Sequence, residues 1–454
     1  MQEAGRNAGA PAEDAPAVAL RGALVYFLDD PVLSGSDRPF VHESDGIVLC
    51  RGGRIEAVGS AADLAPRLPP DVELRHFPGC LISAGFVDTH VHYVQTGIIG
   101  SYGEGLLEWL NRYTFPAEQA FADPAHARAV AGLFCDQLLA NGTTSALVFC
   151  AVYPRSVDAL FAEAEARGMR IAAGKVLMDR NAPDALRDTA RTAYDESRSL
   201  IARWHGKGRL LYAITPRFAP TSSEEQLELA GALWKESPGT YVQTHIAETR
   251  DEVAWVRELF PGDETYLGIY DRFGLVGPRS VLAHGIHLEE AELCACHERG
   301  AAVAHCPTSN LFLGSGLFDI RRTRDPRRPV LVGMGTDIGA GTSFSMLETL
   351  GEAYKVARLG GALLDPVESL YLATLGGARA LGLDGKIGSI RSGWEADLVV
   401  LDPAATPLLA FRSARAQSIE ELLFVLMTLG DDRAVRATFV AGREVPSRDR
   451  PPEH

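Results

Sequence analysis

Two histidines separated by one residue, His90 and His92, are the first side chains whose type and spacing point to chemistry. They end the apolar run "GFVDTHVH", in a chain of 454 residues that holds only 12 histidines. Because side chains i and i+2 of a β-strand project from the same face, a strand here directs both imidazoles to one side. Two same-facing imidazoles suit a divalent metal ion, although a metal site needs further ligands.

Further candidate groups lie far along the sequence, each near the end of its own apolar segment. His245 and Glu248 end "YVQTHIAE", His284 lies within "SVLAHGIHL", and Asp337 ends "PVLVGMGTD". Histidines and an aspartate without a cysteine favour Zn²⁺, with Fe²⁺ as the second choice. We therefore expect a single metal ion held by four ligands: His90, His92, His245 and Asp337.

A hydrolytic reaction is the chemistry that these groups predict. A metal ion that keeps one position for water lowers the pKa of that water from about 15.7 toward about 7. Glu248 is the expected proton shuttle beside it. We expect His284 to hydrogen-bond the nucleophile or the developing charge, and Asp337 to act also as a base. A second ion would need a bridging group such as a carbamylated lysine. The fourth predicted strand ends in "ITPR" without one, and Lys175 in the third is the nearest alternative.

The elements that must position these residues lie between about residues 80 and 385, where short apolar runs alternate with helical patterns. Near-continuous apolar runs are typical of parallel strands buried on both faces. Eight such strands alternating with helices predict an α/β fold, a (β/α)₈ TIM-like barrel, whose functional groups sit at the C-terminal ends of the strands. The predicted strands are 81–92, 143–150, 170–178, 210–217, 241–248, 280–288, 301–310 and 329–337.

The two ends of the chain have a different pattern, with short strands joined by glycine-containing turns. These segments are 18–28, 45–59, 387–402 and 435–445. We expect them to build one small composite β-sandwich beside the barrel. The predicted organisation is a disordered tail (1–16), the first sandwich part (17–80), the barrel (81–384), and the second sandwich part with a C-terminal tail (385–454).

Composition and charge exclude several classes of partner. The net charge is −15, and the only dense basic run, "RRTRDPRR" at 321–328, is expected to be a solvated loop, so no nucleic-acid partner is predicted. No apolar run reaches the roughly 18 residues that a membrane span needs, so no membrane association is predicted. Seven irregularly spaced cysteines and an N-terminus without a signal-peptide pattern favour the cytoplasm.

Several motifs together resemble the mononuclear aminohydrolases of the amidohydrolase superfamily. They are "VDTHVH", "THIAE", "AHGIHL", "HCPTSN" and "GMGTDIGAG", and the resemblance extends over about residues 18–445. A narrower set is similar to the guanine deaminase family within that superfamily: "THVHYVQTG", "GLLEWLNRYTFPAE", "TPRFAPTSS" and "QTHIAET".

The resemblance implies a homodimeric enzyme that uses one zinc ion per subunit to hydrolyse guanine to xanthine and ammonia. It implies that the base is held by Gln95, Arg217 and Phe218, together with His245, Glu248 and His284. An amide and a planar guanidinium suit the carbonyl and ring nitrogens of a neutral purine, and a phenyl ring offers apolar contact.

Two alternatives stay open at this point. One is a related aminohydrolase that acts on 8-oxoguanine, another purine, a pterin or a triazine, because a few pocket residues change specificity. The other is a catalytically silent binding protein on the same fold, although such relatives lose metal ligands and this chain keeps all four.

Overall fold

The computed structural model describes residues 17–103 and 105–445. The predicted disordered tail and residues 446–454 of the predicted C-terminal tail lie outside the described residues. Within the described ranges, no helix is long and apolar enough to cross a membrane.

The described chain forms strands and helices with the following bounds. The strands are β1 (Val18–Phe27), β2 (Phe40–Arg51), β3 (Arg54–Ser60), β4 (Glu73–Ala84), β5 (Phe86–His92), β6 (Thr143–Phe149), β7 (Arg170–Gly174), β8 (Val176–Leu177), β9 (Leu211–Pro216), β10 (Tyr241–Ile246), β11 (Ser280–His284), β12 (Ala302–His305), β13 (Leu331–Met334), β14 (Leu398–Leu401), β15 (Val435–Val440) and β16 (Arg443–Val445). The α-helices are α1 (Ala61–Leu64), α2 (Leu106–Trp109), α3 (Phe115–Gln119), α4 (Pro124–Ala140), α5 (Pro154–Ala166), α6 (Ala190–Trp204), α7 (Glu224–Glu236), α8 (Arg250–Leu259), α9 (Tyr266–Arg272), α10 (Glu290–Arg299), α11 (Pro307–Phe312), α12 (Ile320–Thr323), α13 (Met346–Leu359), α14 (Pro366–Leu372), α15 (Leu375–Ala380), α16 (Pro407–Ser413) and α17 (Ile419–Leu429).

The predicted (β/α)₈ barrel is confirmed. Eight parallel strands follow one another around its wall in the order β5, β6, β7, β9, β10, β11, β12 and β13, and the short β8 pairs with β9. Their side chains are almost all buried, as the near-continuous apolar runs predict. Helices such as α4, which begins after the N-cap Asp123, cover the outside of the wall.

The barrel closes at a seam between its first strand, β5, and its last, β13. Thr89 Oγ1 donates a hydrogen bond to the carbonyl of Met334 (2.9 Å), and the Asp337 N–H donates to the carbonyl of His90 (2.9 Å). A Cβ on Gly333 would lie 2.3 Å from Thr89 Cγ2, so this approach requires glycine. The seam therefore brings the backbones of two predicted metal ligands into direct contact.

Both chain ends contribute to a second, mixed sheet, which confirms the composite β unit. Its seven strands lie in the order β16-β15-β14-β4-β1-β2-β3, so the C-terminal strands continue a sheet begun by the N-terminal ones. Side chains from several of these strands pack into one apolar cluster that includes Leu20, Val48, Ile82, Leu398 and Phe439. The domain limits 17–80, 81–384 and 385–454 stay predictions.

The segment 81–92, predicted as a single strand, is two strands in different sheets. The chain leaves the mixed sheet at Ala84 and enters the barrel at Phe86. The N–H of Gly85 donates to the carbonyl of Asp397, whereas the N–H of Phe86 donates to the carbonyl of Gly142 at the start of the next barrel strand. An uninterrupted apolar run does not reveal this change of hydrogen-bond partner.

The prediction of a solvated loop at 321–328 was wrong. Arg324 is 4% exposed, and its guanidinium bonds Asp30 (2.6 Å) and Glu368. Arg328 is also buried and donates to both carboxylate oxygens of Glu290. Distant carboxylates pair with these arginines, and such pairing is what allows a charged side chain to be buried.

The seam gives a testable prediction about stability. We expect Gly333→Ala to lower the free energy of unfolding by about 1–3 kcal/mol, because the added methyl group meets Thr89 in a closely packed core. The matched control is Gly262→Ala, where a Cβ would have no neighbour within 4 Å. Chemical denaturation measures both variants, and equal midpoints for the two would contradict the role of the seam.

Candidate active site

The four predicted metal ligands converge at the C-terminal end of the barrel. The Nε2 atom of His92 lies 3.3 Å from Nε2 of His90 and 3.1 Å from Nε2 of His245. Asp337 Oδ1 lies 3.2 Å from His90 Nε2 and 3.5 Å from His92 Nε2. His90, His92 and Asp337 are buried, and His245 is partly exposed.

Three separate strands supply these side chains. His90 and His92 are on β5, where alternation directs both to the barrel interior, and His245 is on β10. Asp337 follows β13 and adopts a left-handed conformation with φ of 50°, which aspartate tolerates better than most residues. The i, i+2 spacing and the strand-end positions thus produce the arrangement that the sequence predicts.

The chemical state of the imidazoles fits a divalent cation. Burial lowers the pKa of His90, His92 and His245 well below the usual range, so all three are neutral. His245 Nδ1 donates to the carbonyl of Arg217 (2.7 Å), which leaves the Nε2 lone pair for a metal ion. Neutral imidazole nitrogens this close repel one another unless a cation or a shared proton lies between them. The donor set therefore fits a metal ion held by nitrogen and oxygen.

Lys175, the alternative bridging group for a second ion, is engaged elsewhere. It is buried between β7 and β8, and its Nζ donates to Asp188 (2.8 Å) and to Glu196. This pairing agrees with the expectation of one ion.

Glu248 lies beside the cluster with its two carboxylate oxygens in different environments. Oε1 accepts a hydrogen bond from Ser315 Oγ (2.8 Å), and Oε2 lies 3.4 Å from His284 Nε2. Its backbone N–H donates to Glu252 (2.8 Å), which fixes the main chain. Burial, and then the charge of Asp337, raises the pKa of Glu248 to about 8. A carboxyl with a pKa near neutrality exchanges protons readily.

His284 ends β11 and faces both carboxylates. Its Nδ1 donates to Asn310 Oδ1 (2.8 Å), and this bond orients the ring. The Nε2 atom then lies 3.8 Å from Asp337 Oδ2 as well as near Glu248. The predicted catalytic residues Glu248, His284 and Asp337 thus form one contiguous group.

One cavity joins the residues predicted to bind substrate with this group. Gln95, Arg217, Phe218, His245, Glu248 and His284 all line it. Apolar side chains complete the wall, among them Leu106, Trp109, Leu110 and Leu313. Gln95 lies in the turn after β5, three residues beyond the predicted ligand His92. Arg217 directly follows β9, and its carbonyl contacts the predicted ligand His245.

Three residues of the site were not assigned from the sequence: Glu118, Ser315 and Asn310. Glu118 is fully buried and bonds Arg217, whereas Ser315 and Asn310 orient Glu248 and His284. Each partner lies between 26 and 99 residues away in the sequence. Glu118 lies in "YTFPAE" and Asn310 in "HCPTSN", two segments whose only signal in the sequence is their resemblance to relatives. No local spacing of residues predicts these contacts.

The sequence is similar to those of known hydrolytic enzymes. Residues 81–445 match the Amidohydrolase family. Over 434 residues the chain is 51% identical to guanine deaminase of Escherichia coli (strain K12), which covers 95% of this chain and 98% of that protein.

Two solved structures extend the likeness to the fold. E. coli guanine deaminase superposes with a TM-score of 0.91 at 48% identity, covering 96% of this chain and 100% of the other. Guanine deaminase from C. acetobutylicum with guanine bound in the active site superposes with a TM-score of 0.85 at 29% identity, covering 94% and 100%. The chain therefore belongs to the amidohydrolase family, and within that family its sequence groups with the guanine deaminases.

Proposed function

We propose that this protein catalyses the hydrolytic deamination of guanine to xanthine and ammonia. One observation carries the proposal: a single cavity is lined both by the hydrogen-bond donors Arg217 and Gln95 and by residues of the histidine and carboxylate cluster. The guanine deaminase of E. coli, at 51% identity, supports this substrate, and so does the C. acetobutylicum enzyme with bound guanine.

The proposed cofactor is one zinc ion per subunit, with Fe²⁺ as the second choice. The ligands would be His90, His92, His245 and Asp337, a borderline nitrogen and oxygen set without thiolates. When bound, the ion supplies a Lewis acid that lowers the pKa of a water molecule toward neutrality.

The side chains around the cluster supply the proton transfers of the proposed reaction. With Nδ1 donating to Asn310, His284 directs Nε2 toward the carboxylates, a position that suits holding the attacking water. Asp337 Oδ2 is the proposed base toward that water, whose oxygen forms a bond to C2 of guanine. Glu248 gives its proton to a ring nitrogen, takes the proton of the new C2 hydroxyl group, and passes it to the exocyclic amine as the C2–N bond breaks and the C2 carbonyl forms. The proton taken up by Asp337 then returns to Glu248. Ammonia and xanthine result.

The other wall of the cavity is proposed to bind the base. Arg217 and Gln95 supply N–H donors for the acceptors of guanine, and Phe218 supplies an apolar surface. Phe218 is held by an edge contact with Trp255, with ring centroids 6.2 Å apart. Water exclusion by Leu106, Trp109 and Leu110 strengthens these hydrogen bonds.

We also propose a homodimer that works in the cytoplasm. The likeness to the guanine deaminase family supports the dimer. The seven cysteines are all free, and six of them are buried, which suits a reducing compartment.

Steady-state assays test the substrate and the metal requirement together. We expect guanine loss, with equal ammonia release, to be far faster than turnover of 8-oxoguanine, pterins or triazines. Prolonged dialysis against a chelator should abolish the activity, and added Zn²⁺ should restore it. Negligible guanine turnover beside rapid turnover of another base would refute the substrate, and full activity in metal-free protein would refute the cofactor.

Glu248→Gln tests the proton shuttle. The amide keeps the size of the side chain but cannot carry a proton, so we expect kcat to fall by about 10²–10⁴ while metal content and melting temperature stay near normal. The matched control is Glu258→Gln, an exposed glutamate in the following helix, which should retain full kcat. Near-normal turnover by Glu248→Gln would remove Glu248 from the proposed proton pathway.

A further inference from the structure

Glu118 is a fully buried carboxylate directly behind the proposed base-binding wall. It lies on α3, and the phenyl ring of Phe115 on the same short helix lies 5.5 Å from the guanidinium of Arg217. Arg217 Nη1 donates to both oxygens of Glu118, at 2.9 and 2.8 Å, and Gln95 Nε2 donates to Oε1 at 3.3 Å. One carboxylate therefore contacts both proposed base-binding donors.

The contact with Arg217 differs from that of a simple structural ion pair. A structural pair commonly uses two guanidinium nitrogens against two carboxylate oxygens. Here a single nitrogen, Nη1, meets both oxygens, and within the described chain Nε and Nη2 donate to no other residue. Arg217 also lines the cavity, so its remaining N–H groups are available to a bound base.

The same carboxylate determines which end of the Gln95 amide is the donor. A carboxylate only accepts hydrogen bonds, so the NH₂ group of Gln95 must face Glu118. The amide oxygen accepts from the N–H of Gly339 at 3.3 Å, which agrees with that orientation. Gln95 consequently has a second N–H left to donate.

The charges of Arg217 and Glu118 balance each other. The buried guanidinium is paired with a buried carboxylate, so this wall of the cavity has no net charge and suits a neutral ligand rather than an anion. Donors without excess charge match a base that presents carbonyl oxygen and ring-nitrogen acceptors.

We propose that Glu118 is a positioning residue that determines specificity, by directing the N–H donors of Arg217 and Gln95 toward the carbonyl-bearing edge of a neutral oxo-purine. It disfavours bases that carry hydrogen or an amine in place of the carbonyl. This proposal rests on the proposed guanine deamination. It adds Glu118 to the residues of the site and gives a reason for the preference for oxo-purines.

The test compares guanine with 2-aminopurine and 2,6-diaminopurine, which carry the same 2-amino group but lack the carbonyl. In Glu118→Gln the neutral amide no longer fixes the orientation of the Gln95 amide, and it no longer balances the positive charge of Arg217. We expect KM for guanine to rise about tenfold or more, and the guanine to 2-aminopurine ratio of kcat/KM to fall by at least about tenfold. Inhibition constants replace kcat/KM for any base that is not turned over. Glu118→Asp, which keeps the charge, should recover part of the ratio.

The matched control is Glu368→Gln, another fully buried carboxylate, bonded by Arg321 and Arg324 and not part of the cavity wall. It should leave the ratio unchanged even where it lowers stability. If Glu118→Gln lowers the values for all bases in proportion, Glu118 is only structural and the proposal is wrong. The same conclusion follows if neither Glu118 variant folds. If the unmodified protein does not deaminate guanine, the proposed function fails and this proposal fails with it.

Discussion

The approach of three neutral imidazoles to one carboxylate is the constraint on which the rest of the site depends. Neutral nitrogen atoms 3.1–3.3 Å apart are stable together only with a cation or proton among them. The barrel produces this cluster because three of its strands end at one edge. The seam at Thr89 and Gly333 then sets the distance between β5, which carries His90, and β13, which Asp337 follows.

Arg217 connects the cluster to the cavity wall. Its carbonyl accepts the Nδ1 proton of His245 and so fixes the tautomer of a proposed metal ligand, and Arg217 also lines the cavity. With the proposed roles, a change at this residue would act on both metal binding and base binding. Asp88 has a similar supporting role at the seam, because it accepts hydrogen bonds from the backbone N–H of His90 and from Thr336. Burial raises the pKa of Asp88 to about 7.

Two neighbours hold the proposed catalytic residues Glu248 and His284 in place. Ser315 binds Oε1 of Glu248, and Asn310 binds Nδ1 of His284, so Glu248 Oε2 faces His284 Nε2, which in turn faces Asp337 Oδ2. Glu248 Oε2 and His284 Nε2 are the atoms that this arrangement leaves for the proposed reaction. Groups that are already oriented in this way lower the entropy cost of reaching the transition state.

The sequence predicts the parts of this site that follow from local rules. Strand alternation predicts that His90 and His92 share one face. The ends of the apolar runs predict the positions of His245 and Asp337 at the C-terminal end of the barrel. Contacts between distant segments carry no such local signal. Glu118 reaches Arg217 across 99 residues, and Arg324 is buried by carboxylates from two other parts of the chain. The break at Gly85 was likewise invisible, because it depends on which strand accepts each hydrogen bond.

The most direct test of the metal centre is a crystal structure with anomalous diffraction data collected on both sides of the zinc absorption edge. We expect one anomalous peak per subunit, about 2.0–2.2 Å from Nε2 of His90, His92 and His245 and from a carboxylate oxygen of Asp337. Two peaks, or an ion bound elsewhere with these four side chains unchanged, would contradict it.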